Sequence, residues 1–181
     1  MTALERIASV IDAVNRGVGV TVAWLAVLMV VVQFALVLMR YVFGIGSIMT
    51  QESVIYMHGI LFMLAASYAL LTNAHVRVDI FYRPASRRTK AWIDLLGVIF
   101  LLLPFMVVLW IYSYPYVAAS WAVREVSRET SGIPGVWLLK TCLLIFVVLV
   151  ALQGISLAFR AILLLAGRTD DHMPSAEEGG A

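Results

Sequence analysis

Few side chains in this sequence have the chemistry of a reaction centre, and their spacing narrows what they could do. There are three histidines, His58, His75 and His172, and one cysteine, Cys142. A membrane b-type haem needs two histidines on facing segments at matching depth. His58 lies inside an apolar run, His75 at the end of the same run and His172 in a polar tail, so no two of them can face each other on separate spans. A single cysteine excludes an internal disulfide, a zinc knuckle and dithiol redox chemistry, and its apolar surroundings predict a buried, inert thiol. The sequence has no Gly-rich phosphate loop, no catalytic triad and no metal-ligand spacing. These features predict no catalytic residue, no cofactor and no metal site, hence a protein that is not an enzyme; no nucleic-acid partner is expected either.

The residues left to consider are charged groups at the edges of apolar runs. The stretch "NAHVRVDIFYRPASRRTKA", residues 73–91, holds five of the thirteen Lys and Arg residues. It contains the pattern His75-x-Arg77-x-Asp79. In a helix His75 and Asp79 share a face and Asp79 reaches Arg83; in an extended chain His75, Arg77 and Asp79 lie on one side. Either arrangement pins the loop or contacts a partner, and the pattern alone has no metal geometry. Lys140 lies near one end of its apolar run, where it can snorkel or pair with Glu52, Glu125 or Glu129. Arg124 and Arg128 are four apart, as are Glu125 and Glu129, which predicts a charged helical face. His58 reads as a histidine bonded within a helix bundle, or as a proton relay. Gln33 and Gln153 are neutral polar groups suited to bonds between helices or to a partner.

The elements that carry these groups are membrane helices. The chain has 181 residues, 62% hydrophobic and only 13% charged, against about 25% charged in a soluble domain. Its mean hydropathy is +0.96. A spanning helix needs about 20 apolar residues, and four segments qualify, at about 18–39, 53–72, 92–114 and 136–165. The fold class expected is an all-α membrane protein of four transmembrane helices. Before the first span, Leu4, Ile7, Ala8, Ile11 and Val14 recur at helical spacing, with Glu5, Arg6, Asp12, Asn15 and Arg16 on the other side. Residues 1–17 therefore read as an amphipathic helix lying in the interface, or as an extension of the first span. With both termini cytoplasmic, nine Lys and Arg residues fall inside and four outside, which favours the N-in/C-in orientation. Arg87, Arg88 and Lys90 then face the headgroups, where anionic lipids attract them. If helical from Trp92 to Thr130, the third segment is about 58 Å long. It must then tilt, project, or bend at Pro104 or Pro115. The tail from 167 to 181 is polar and acidic, and is expected to be disordered.

Taken in order, "RYVFG", a Glu opening the second span, "HVRVD" closing it and "SGIPGVW" opening the fourth resemble the small membrane subunit of tripartite ATP-independent periplasmic (TRAP) transporters, the DctQ-like family. The resemblance covers about residues 15–165. It maps Arg40 to the end of the first span, Glu52 to an acidic position at the start of the second, and His75, Arg77 and Asp79 to the family's His-x-Arg-x-Asp pattern. Pro134 and Trp137 fall at the opening of the fourth span. Where many members have a Trp-x-Glu-Glu run, this chain has Met49-Thr50-Gln51-Glu52, which weakens any role requiring paired carboxylates. "SWAVREVSRETSGIPGVWLLK" is similar to a branch linked to 2-oxo acids or to mannitol/chloroaromatic compounds. The resemblance implies an inner-membrane protein that braces a large permease subunit and helps dock a periplasmic substrate-binding protein, for sodium-coupled uptake of an organic acid. Arg40, Glu52, His75, Arg77, Asp79, Pro134, Trp137 and Lys140 are the expected partner-interface or structural residues, with membrane lipids around them. Arg124, Glu125, Arg128 and Glu129 are the docking candidates. The competing expectation is a stand-alone homo-oligomeric carrier or channel.

Overall fold

The computed structural model describes residues 3–74 and 84–167, and every regular element in them is helical. Helix α1 is Ala3–Val42, α2 is Ile48–Leu71, α3 is Arg87–Ala122 and α4 is Val136–Leu165. All four are long and apolar enough to cross a membrane. Their ends follow local chemistry. Ser47 opens α2 by accepting the Thr50 N–H at 3.3 Å, and Ser86 opens α3 by accepting the Thr89 N–H at 3.2 Å, both filling an orphan donor of the first turn. At the end of α2, Asn73 takes the left-handed conformation with φ 55°. Its N–H returns to Leu70 O and that of Ala74 to Ala69 O, the paired bonds of a Schellman ending.

Helix α4 packs against each of the other three. Its apolar core contacts are Val147 and Val150 against Met106 of α3, and Ala161 against Ala91 and Leu95 nearer the other end. Helices α1 and α2 pair closely at Gly19, where an added Cβ would overlap the Tyr68 side chain. The chain runs up and down, so both ends of the described chain lie at one end of the bundle and the 123–135 loop lies at the other.

Helix α3 is irregular at one place. Residues Val98–Leu102 form a π turn, closed by the Leu103 N–H reaching back to Val98 O. Pro104 follows; it has no N–H, and its ring would crowd the carbonyl four residues back. Widening the turn relieves that crowding. The widened turn sits against Gly154 of α4, where any Cβ would overlap Leu102. Pro115, by contrast, is carried inside regular helix.

Two expectations change. The charged stretch 124–129 is not a helical face, because α3 stops at Ala122. Arg124 turns left-handed, φ 49°, while its N–H bonds Trp121 O and the Glu125 N–H bonds Ser120 O. This is a second Schellman ending. Likewise, residue 17 marks no break: α1 is one helix of 40 residues, about 60 Å at 1.5 Å per residue. Part of its polar side points into the protein, while Arg6 and Arg16 stay exposed. Asp12 and Asn15 are buried, whereas Ile7, Val10 and Val14 are exposed. The reason lies in α4, which presents polar groups at the same level.

Candidate functional site: two polar clusters at the ends of one helix

The first cluster joins α1 to α4. Gln153 stands near its centre, 1% exposed. Its Nε2 donates to Asp12 Oδ1 at 2.9 Å, and its Oε1 accepts from Asn15 Nδ2 at 2.7 Å. Ser156 Oγ donates to Asp12 Oδ1 at 2.7 Å. Arg160 closes the cluster with an ion pair to the other Asp12 oxygen. Spacing explains the fit: 153, 156 and 160 share one face of α4, while 12 and 15 share one face of α1. The carboxylate is hydrogen-bonded and charge-paired, as a group withdrawn from water must be. The sequence flagged Gln153 as a bond-former between helices, but set Asp12 and Asn15 facing away. The missed signal is that Gln153, Ser156 and Arg160 form a complementary polar stripe.

The second cluster organises the 123–135 loop. Glu52, near the start of α2, accepts the Ile133 N–H at 2.6 Å and the Ser127 hydroxyl. Gly132 fits between them only because it has no side chain; an added Cβ would overlap both Ser127 and Glu52. Around Pro134 the loop tightens, with the Gly135 N–H bonded to Ile133 O at 2.8 Å, a three-residue γ turn. Lys140, the charged residue in the first turns of α4, pairs with Glu125, one of the three partners its position allowed. Its Nζ also lies 4.1 Å from the Tyr116 ring centre. Trp137 meets Trp121 edge-on at 4.4 Å and carries the Arg124 guanidinium at 5.1 Å. Trp121 Nε1 donates to Thr141 Oγ1 at 2.9 Å. Opposite charges and cation–π contacts thus fold the loop onto the helix tops.

Lys140 lowers the pKa of Glu125, chiefly through their hydrogen bond, holding the carboxyl below the usual carboxylate range. Lys140 and Arg160 are twenty residues apart on α4, about 30 Å along the axis. That matches the thickness of a hydrocarbon core.

The structure therefore gathers Glu52, Arg124, Glu125, Pro134, Trp137 and Lys140 into one region. Arg128 and Glu129 are exposed on the same loop. Arg40 is exposed in the last turn of α1 and makes no ion pair with a described residue. His75, Arg77 and Asp79 lie outside the described residues. His58 is not bonded inside the bundle as expected; it is exposed, with its ring stacked on Phe62 at 6.3 Å. Cys142 is buried and free, as its apolar run predicted.

Four apolar helices, with their charges gathered in clusters about one hydrocarbon thickness apart, define a multi-pass membrane protein. The chain belongs to the DctQ component family of the tripartite ATP-independent periplasmic transporters: that family matches residues 29–164, three quarters of the chain. It is thus a small membrane component of a TRAP-type transporter. The match covers the whole Glu52 cluster and the α4 half of the Asp12 cluster, and begins after Asp12 and Asn15. No curated protein matches. No solved structure matches either.

Proposed function

We propose that this chain is the bracing subunit of a TRAP transporter of the inner membrane, with both termini cytoplasmic and the 123–135 loop periplasmic. It holds a large permease subunit in place while that subunit carries an organic acid in a sodium-coupled step. The observation that carries this reading is the use of the polar groups. Asp12, Gln153 and Ser156 at one end and Glu52 and Lys140 at the other are tied into contacts that join separate segments, while the faces between are largely apolar and outward. Such a molecule is suited to being packed against rather than to conducting a solute.

The Glu52 cluster makes the periplasmic loop a defined surface rather than a loose connection. Arg124 and Glu125 are engaged with Trp137 and Lys140. Arg128 and Glu129 stay exposed, and on this reading they steer the soluble binding protein.

The test is recovery of this chain from native membranes in mild detergent. A stoichiometric large membrane protein is expected to come with it. Reversing Arg128 and Glu129 together is expected to weaken capture of the soluble component in a salt-sensitive way. Recovery of this chain alone, as a stable oligomer, would return the reading to a stand-alone carrier.

A further inference from the structure

Helix α2 is packed along most of its surface. Between Thr50 and Leu71, only Gln51, Ile55, His58 and Phe62 are exposed. They recur at intervals of four, three and four residues, so they form one narrow line down the helix. Ile55 and Phe62 are 59% and 66% exposed, and lipid solvates both without penalty. An imidazole is different. In either neutral tautomer it carries an N–H donor, and His58 bonds no described residue. It stands six residues from Glu52, about 9 Å along the helix toward the other end. That depth is inside the hydrocarbon, and the short side chain does not reach back to the headgroups as a lysine would. A donor left unmade there is costly.

We infer that the line Gln51–Ile55–His58–Phe62 is the seat of a transmembrane helix of the large permease subunit, which presents a hydrogen-bond acceptor to His58. This rests on the reading under Proposed function and adds to it the contact face and the chemistry of the contact. The exposed Gln33 amide of α1 makes a similar demand at its own place, but the residues around it do not. Along α1, Trp24, Val27, Val30, Val31 and Phe34 present apolar surface that acyl chains cover equally well. A second copy of this chain answers the demand poorly. Two copies inserted in the same sense and related by a two-fold axis would bring His58 against His58. Two neutral imidazoles make one hydrogen bond and leave one N–H unmade. The Phe62 ring lies one turn away and nearly parallel to the imidazole, 6.3 Å between centroids, so the partner meets both on one line.

The experiment uses the assembled transporter in native membranes. A benzophenone amino acid is placed at position 55 or 62 and irradiated, and the adduct is identified by mass. In parallel, recovery of the large subunit is compared for wild type, His58→Leu and His58→Gln. The expected result is an adduct with the large subunit, with association weakened roughly three- to tenfold in His58→Leu and restored in His58→Gln, which keeps a donor. Among the described residues His58 makes no hydrogen bond or ion pair and one ring contact, with Phe62, so an unchanged thermal melt for His58→Leu separates lost association from lost folding. An adduct between two copies, adducts with lipid alone, or wild-type recovery with His58→Leu would each overturn the inference. If the wild-type protein brings down no large subunit, the bracing reading itself fails. If the complex forms but this face gives no adduct with the large subunit, only the present inference fails.

Discussion

Glu52 and Glu125 are both carboxylates of one end cluster, yet they do different work. Glu52 accepts a backbone N–H and a hydroxyl, so it fixes the path of the loop. A glutamine there offers one acceptor oxygen and turns an NH₂ toward a donor. Glu52→Gln is therefore expected to lower stability by about 1–3 kcal/mol, read as a reduced melting temperature in detergent with faster proteolysis between Ser127 and Ile133. Glu125 instead supplies charge to Lys140. Its folded pKa is depressed, so its contribution is complete at pH values above the ordinary carboxylate range and is lost as pH falls through the lowered value. The melting difference between wild type and Glu125→Gln should persist at neutral pH and vanish in acid. A difference that stays constant into acid would show that the pair contributes nothing through charge. The sequence named these residues because each sits where an apolar run meets a polar one. It could not choose Lys140's partner among Glu52, Glu125 and Glu129. That choice depends on the chain reversing at Arg124, a non-glycine residue in a left-handed conformation that propensity disfavours.

At the scale of elements, the apolar runs were legible because a membrane helix must satisfy its backbone internally and needs about 20 apolar residues to do so. Helix α4 was found at both ends, 136 and 165. The π turn was less legible. Pro104 announced an irregularity, but the widened turn also depends on Gly154, on another helix, leaving room for Leu102. The first seventeen residues misled for a related reason. Amphipathic spacing identifies two faces but not which residues are covered, and here α4 covers Ala8, Asp12 and Asn15 with Gln153, Ser156 and Arg160. The docking of α1 on α4 therefore depends on a mostly buried ion pair. Asp12→Leu takes from Arg160 its ion pair across the α1–α4 contact and from Gln153 and Ser156 an acceptor, which costs about 1–3 kcal/mol. The double change Asp12→Leu with Arg160→Leu removes the unbalanced charge from the α1–α4 contact and is expected to be less damaging than the single one. Melting curves of both variants check this; equal losses would mean that the hydrogen bonds to Gln153 and Ser156, rather than the ion pair, hold the helices together.

For the whole molecule, a central α4 ties the bundle together while α1 and the outer half of α3 leave large apolar faces uncovered. In lipid such faces need no protein partner, so apolar exposure alone does not identify an assembly. The case for one rests on membership of the DctQ family, on the commitment of buried polar groups to structure, and on an outward imidazole at membrane depth. The most direct test is uptake in vesicles reconstituted with this chain alone, with the large subunit alone and with both, each supplied with the soluble binding protein and a sodium gradient. Uptake is expected only when both membrane subunits are present. Uptake by vesicles holding this chain without the large subunit would contradict the account.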